Sequence, residues 1–233
     1  MKRQLLESLA VLSLGLFVLT HTDLRQAYAA SFTVPHQGLS INLPVNPIKQ
    51  SKATSCGEAV LAMAYNYAYP ETAMKERVIL SYAEMQGYYT ETKAPFTSPA
   101  NMVKITKHYT KNYSTGTVSN SSQGLTLLGE KLQKGNPVII DVFAQLDNPT
   151  SGAHFIIVTG ISVAPDNKYA IMIYYNEPLT GKNKSSPWYG DEGIWNAWHH
   201  NSDPGGSGWW LSVPPTVLTP NNGAGNGSKL NKA

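Results

Sequence analysis

At Lys134-Gly135-Asn136-Pro137 the apolar pattern of the chain changes period, and this change limits the folds open to it. Upstream the spacing is helical. Thr54 to Tyr69 puts Ala59, Val60, Met63, Ala64 and Tyr67 on one face, with Thr54 or Ser55 placed to cap the start and Pro70 to end it. Thr97-Ser98-Pro99 is a cap residue followed by Pro at the first helical position, leading into Met102, Ile105 and Tyr109. A third helix is predicted from Ser122 to Lys134, with Leu125, Leu128 and Leu132 in register and Gly135 as its stop. Downstream, Pro137–Phe143, His154–Val163 and Lys168–Tyr175 are β-branched and aromatic runs that read as strands. The last two are joined by Ala164-Pro165-Asp166-Asn167, which is hairpin chemistry. Helices first and antiparallel strands afterwards predict an α+β domain, with the N-terminal helices packed on the sheet. A short closing strand is expected near Trp210–Val213, after a stretch holding Trp188, Trp195 and Trp198 among Gly, Ser and Pro.

The ends read differently. Met1-Lys2-Arg3, an apolar run from Ser8 to Leu19 and the small-x-small exit Ala27-Tyr28-Ala29 have the order of a secretory signal peptide. The run is shorter than the ~20 residues a bilayer-spanning helix needs, so cleavage near Ala29 is expected, with an uncleaved anchor as the alternative. Residues 1–29 are thus assigned to a signal, 30–213 to one domain, and 214–233, rich in Asn, Gly, Pro and Lys, to a disordered tail. Such a chain is exported and, once cleaved, has no stable membrane insertion. A formal charge of +3, with basic residues scattered, argues against a nucleic-acid partner. A monomer is expected.

The chain holds one cysteine, so no intrachain disulfide is possible and the thiol is either inert and buried or at work. Cys56 falls in the first turn of the first predicted helix, where the dipole and free N–H groups favour a thiolate over a thiol. Gln50, on the loop entering that helix, is placed to share an oxyanion with the backbone N–H of Cys56. Thiolate chemistry also needs a base. His36, His108, His199 and His200 each have a surface explanation, whereas His154 follows Ser151-Gly152-Ala153 and opens a strand too apolar to be mere surface. Asn176-Glu177, directly after the next strand, offers an amide or a carboxylate to orient the ring; on an extended segment only one of the two can face it. No cofactor is implied, and no metal: the adjacent His199-His200 is the nearest approach to a ligand pair.

These residues resemble the C39-like branch of the papain-like cysteine peptidases. The resemblance rests on Gln50-x5-Cys56-Gly57-Glu58-Ala59, on Lys134-Gly135-Asn136-Pro137-Val138-Ile139-Ile140, on His154-Phe155-Ile156-Ile157-Val158-Thr159-Gly160 and on Tyr175-Asn176-Glu177-Pro178. It covers roughly Asn42 to Val213, with Ile194–Trp198 and Trp209-Trp210-Leu211 similar to the family's closing helix and strand. It implies a papain-like α+β fold, a Cys-His-acid triad, Gln50 as oxyanion donor and a peptide or protein substrate, a cell-wall peptide among the candidates. Two positions depart from the family pattern: Glu58 stands where Pro is usual and Glu177 where Asp is usual. Two other functions use the same features. One is a catalytically silent module that binds through its cleft and its tryptophans; the other is a cell-wall amidase or endopeptidase, which typically has Asp or Gln where this chain has Ser55.

Overall fold

The computed structural model describes residues 35–215. The signal-peptide assignment, and the tail assignment beyond Pro215, lie outside the described residues. Within them, helices and an antiparallel sheet form an α+β fold. In chain order the elements are β1 (Ser40–Asn42), α1 (Cys56–Ala68), a 3-10 turn (Pro70–Thr72), α2 (Glu76–Met85), α3 (Pro99–Tyr109), β2 (Ser114–Thr117) and α4 (Ser121–Gln133). They continue with β3 (Val138–Gln145), β4 (Asn148–Val163), β5 (Ile171–Glu177), β6 (Lys182–Pro187), α5 (Ile194–His199) and β7 (Trp209–Ser212).

Local chemistry sets the helix limits much as the spacing predicts. Ser98 accepts the N–H of Asn101, with Pro99 in the first turn of α3. Asn120 does the same for Gln123 at the start of α4, and Gly135 takes the left-handed φ of +74° that stops the chain after it.

The sheet runs β2-β7-β3-β4-β5-β6, all pairs antiparallel, and β1 continues the row of β3 along β4. Gly160 is required where β1 crosses, because a Cβ there would collide with the Ile41 carbonyl. Alternation along β3 and β4 divides the core. Ile139, Phe155 and Ile157 face α1 with Val60, Leu61 and Met102, while Ile140, Ile156 and Val158 face α4 and α5 with Leu128 and Trp198. Each fully buried aliphatic side chain contributes about 1.5–3 kcal/mol. Helices therefore cover both faces of the sheet, α1 on one and α4 on the other.

Strand limits differ more. Polar Asn148–Ser151 extends β4 upstream and pairs back on β3, a hairpin arm with too little apolar alternation to be read beforehand. The other turn is longer than expected, and β5 starts at Ile171 rather than Lys168. Ser40-Ile41-Asn42, Ser114–Thr117 and Lys182–Pro187 also carry no strand signal; the last is a charged edge, as edges that resist pairing with other chains tend to be. Helix α2, unpredicted for want of a cap residue, buries Ile79, Leu80 and Ala83.

Candidate active site

Cys56 is the first residue of α1 and is half-buried. Ser55 precedes it at the cap position without capping the helix: its hydroxyl lies 2.6 Å from Glu76 Oε1 and so leaves the first-turn N–H groups alone. Glu76 also receives the Ser51 N–H at 3.0 Å, so this buried carboxylate on α2 pins the loop that delivers Cys56. Sequence reasoning missed Glu76 because its partners lie far back along the chain; the amphipathic Ile79-Leu80-Ala83 pattern was the available signal for the helix that carries it.

His154 lies on β4 beside the end of β5. Its Nε2 is 2.6 Å from Glu177 Oε1, both side chains being 9% exposed, and the ring shares the lining of one cleft with Cys56. That arrangement leaves Nδ1 for the thiol. Burial works against a charged imidazole, yet the charge and hydrogen bond of Cys56 and the Glu177 carboxylate outweigh it, so His154 is raised above its ordinary range. Burial likewise pushes Glu177 up, but the His154 contact, the Leu179 N–H at 3.0 Å and Lys184 at 3.9 Å prevail and hold it below the usual carboxylate range.

Strand alternation separates the two candidates for the third position. Asn176 is opposite Ile157 and turns to the other face, where it donates to the Val45 carbonyl at 2.8 Å and accepts from Asn183 at 3.0 Å. It does not orient His154. The alternative of Asn176 in that role is thereby corrected.

Gln50 is buried, donates through Nε2 to the Lys52 carbonyl at 2.8 Å, and leaves Oε1 without a partner. Its N–H binds the Pro178 carbonyl at 2.8 Å, tying the loop before Cys56 to the segment just after Glu177. Glu58, one of the two departures from the family pattern, is wholly buried; it accepts the Thr97 hydroxyl at 2.7 Å and is pushed by burial to about 7. Its protonated form is therefore favoured below about pH 7.

A cleft of about 230 Å³ opens over Cys56 and His154, walled by Phe96, Phe155, Leu179 and Asp203 and by small residues such as Ala53. Gly152 borders it with φ of +83° and open space around it, so the turn, not packing, requires glycine here. Gln50 and Glu177 are not among the residues that line it.

The other histidines stand apart from the cleft. His108 stacks on Tyr82 at 3.8 Å, and the rings of His199 and His200 meet nearly at right angles. Trp188 and Trp198 are fully buried in the core cluster that includes α4, so these two do not form a contact surface, whereas Trp195 and Trp210 are half-buried.

No curated protein matches the chain. The family model described as Peptidase_C39 like family matches residues 42–203, which include Cys56, His154 and Glu177. The chain belongs to this C39-like family of peptidases, hydrolases of the cysteine-peptidase type.

Proposed function

We propose that the chain is an exported cysteine peptidase of papain-like plan that hydrolyses peptide bonds through a thiolate acyl-enzyme. The observation that carries this is that His154, held by a 2.6 Å contact to Glu177, lines the same cleft as Cys56 at the start of α1.

In this reading the Cys56 thiolate attacks the scissile carbonyl and His154 gives its proton to the leaving amine. Water then attacks the thioester and gives a proton to His154, the C–S bond breaks, and the acid product leaves, losing its proton to solvent, as the Cys56 thiolate and His154 imidazolium are restored. Glu177 holds the ring in its tautomer and stabilises the imidazolium. The oxyanion is met by the backbone N–H of Cys56, which Ser55 leaves uncapped, and by the free N–H of the Gln50 amide once the side chain turns from Lys52. Export rests on residues 1–29. Among the described residues no helix is long and apolar enough to cross a membrane.

The test is labelling of the purified chain with a peptidyl electrophile, with the modified residue located by mass spectrometry and hydrolysis of a peptide pool followed in parallel. Labelling at Cys56, with both labelling and cleavage lost in Cys56→Ala, supports the reading. Cleavage that persists in Cys56→Ala would sink it.

A further inference from the structure

Asp203 is the acidic residue in the wall of the cleft, half-buried among apolar neighbours, and none of the ion pairs among the described residues includes it. Its setting is built rather than incidental. Asp141, on β3, is wholly buried, and neither of its carboxylate oxygens has a hydrogen-bond partner. It stands directly opposite Phe155, so it shares a sheet face with a residue of the cleft wall.

The turn carrying Asp203 closes over it. A Cβ built on Gly206 would come within 2.6 Å of Asp141 Oδ2 and 3.0 Å of the Asp203 side chain, so glycine is what lets the two acids share this corner. Asn201 spends its Oδ1 on the Asp203 N–H at 2.7 Å, and its Nδ2 is without a partner. Burial and the neighbouring Asp203 push Asp141 well up, while Asn201 and His154 ease its charge only in part. Asp141 is thus only partly compensated and is held toward its neutral form, while Asp203 in the cleft wall above it has no ion-pair partner among the described residues.

We propose that Asp203, with Asp141 beneath it, forms a subsite of the cleft for a cationic side chain, lysine or arginine, of the peptide substrate. The proposal rests on the peptidase reading of the same site. The apolar wall suits the methylene stem, and the carboxylate meets the charged head. An ammonium or guanidinium fits better than a metal ion, since no group of three or more His, Cys, Asp or Glu gathers among the described residues.

Two arms test it with the full chain. In the first, a pool of denatured-protein peptides is digested and the cut sites are read by mass spectrometry; kcat/KM is then compared for matched peptides carrying lysine or norleucine at the enriched position. In the second, immobilised Cys56→Ala protein selects peptides from the same pool without turnover. We expect lysine and arginine to be enriched in both arms, with a lysine-to-norleucine ratio of at least about tenfold. The ratio should fall to about one in Asp203→Asn, which keeps the turn's backbone bonds, and in Asp203→Ser as a second variant, while Asp203→Lys should favour a glutamate peptide. Cleavage without charge bias, or a bias that survives both neutral variants, overturns the subsite and leaves the peptidase reading standing. Asp203-dependent selection without any cleavage upholds the subsite and overturns the peptidase reading. Neither cleavage nor charge-biased selection overturns both.

Discussion

Replacing Glu177 by glutamine keeps the side chain's length and removes the charge from a 2.6 Å contact in which both partners are 9% exposed. Little water reaches the pair to compensate. A hydrogen bond to a charged group contributes about 1.5–3 kcal/mol, which at ~1.36 kcal/mol per pK unit corresponds to about one to two units. The sign follows from the causes. Glu177 and Cys56 hold His154 above its ordinary value against burial, so loss of the carboxylate moves His154 down, and the imidazolium disappears at lower pH. The alkaline limb of kcat/KM should therefore shift toward acid by about one to two units, and kcat should fall by roughly ten- to 150-fold. The assay is hydrolysis of a fluorogenic peptide from about pH 5 to about pH 10, with Asn176→Ala as the comparison. Asn176 binds the Val45 carbonyl on the other face, so its loss should affect stability more than the pH profile. A kcat within twofold of the parent with an unmoved alkaline limb, or an Asn176→Ala chain that is folded but more severely impaired than Glu177→Gln, would refute the reasoning.

Three further outcomes are expected. His154→Ala should match Cys56→Ala in abolishing hydrolysis, whereas His108→Ala should change the melting temperature through its 3.8 Å stack on Tyr82 and leave kcat nearly unchanged. Gln50→Ala should lower kcat by roughly ten- to a thousandfold with little effect on KM, as loss of a transition-state donor does; an unchanged kcat would return Gln50 to a purely structural role on the Lys52 loop. Glu58 is raised by burial from 4.5 to about 7, with Glu76 and Glu84 adding repulsion. Its protonated form therefore favours the folded state, and that contribution is lost as pH rises through about 7. Glu58→Gln, which cannot ionise, should accordingly gain stability relative to the parent by ~3 kcal/mol between about pH 4 and pH 8 in urea unfolding; a constant difference across that range would mean that Glu58 is not buried as described.

Much of the architecture could be read from order and spacing. Helix α1 starts where a polar loop meets the Ala59-Val60-Met63-Ala64 face, and α3 and α4 start at Ser98 and Asn120 because a side-chain oxygen there takes an otherwise unpaired N–H. The apolar runs of β3, β4 and β5 needed no tertiary information either, since strands buried on both faces are apolar throughout. Strands β1, β2 and β6 were opaque because their partners, not their composition, make them strands.

By itself, then, the sequence determined an α+β chain with a lone thiol at a helix start and a histidine on a buried strand. It did so through local rules: hydrophobic period, capping and the impossibility of a disulfide with one cysteine. The remaining features depend on approach between distant segments. The register of β4 against β5 put Glu177 and not Asn176 on His154, and the packing of α2 set Glu76 under the nucleophile loop. Burial raised Glu58 from the ordinary carboxylate range to about 7. The Asp141–Asp203 corner belongs to the same class, because two carboxylates this far apart in the chain meet only when β3 and the turn after α5 pack together. Whether a carboxylate is charged, and whom it faces, depends on how much water the fold excludes around it, and that is a property of the packed chain rather than of any window of sequence.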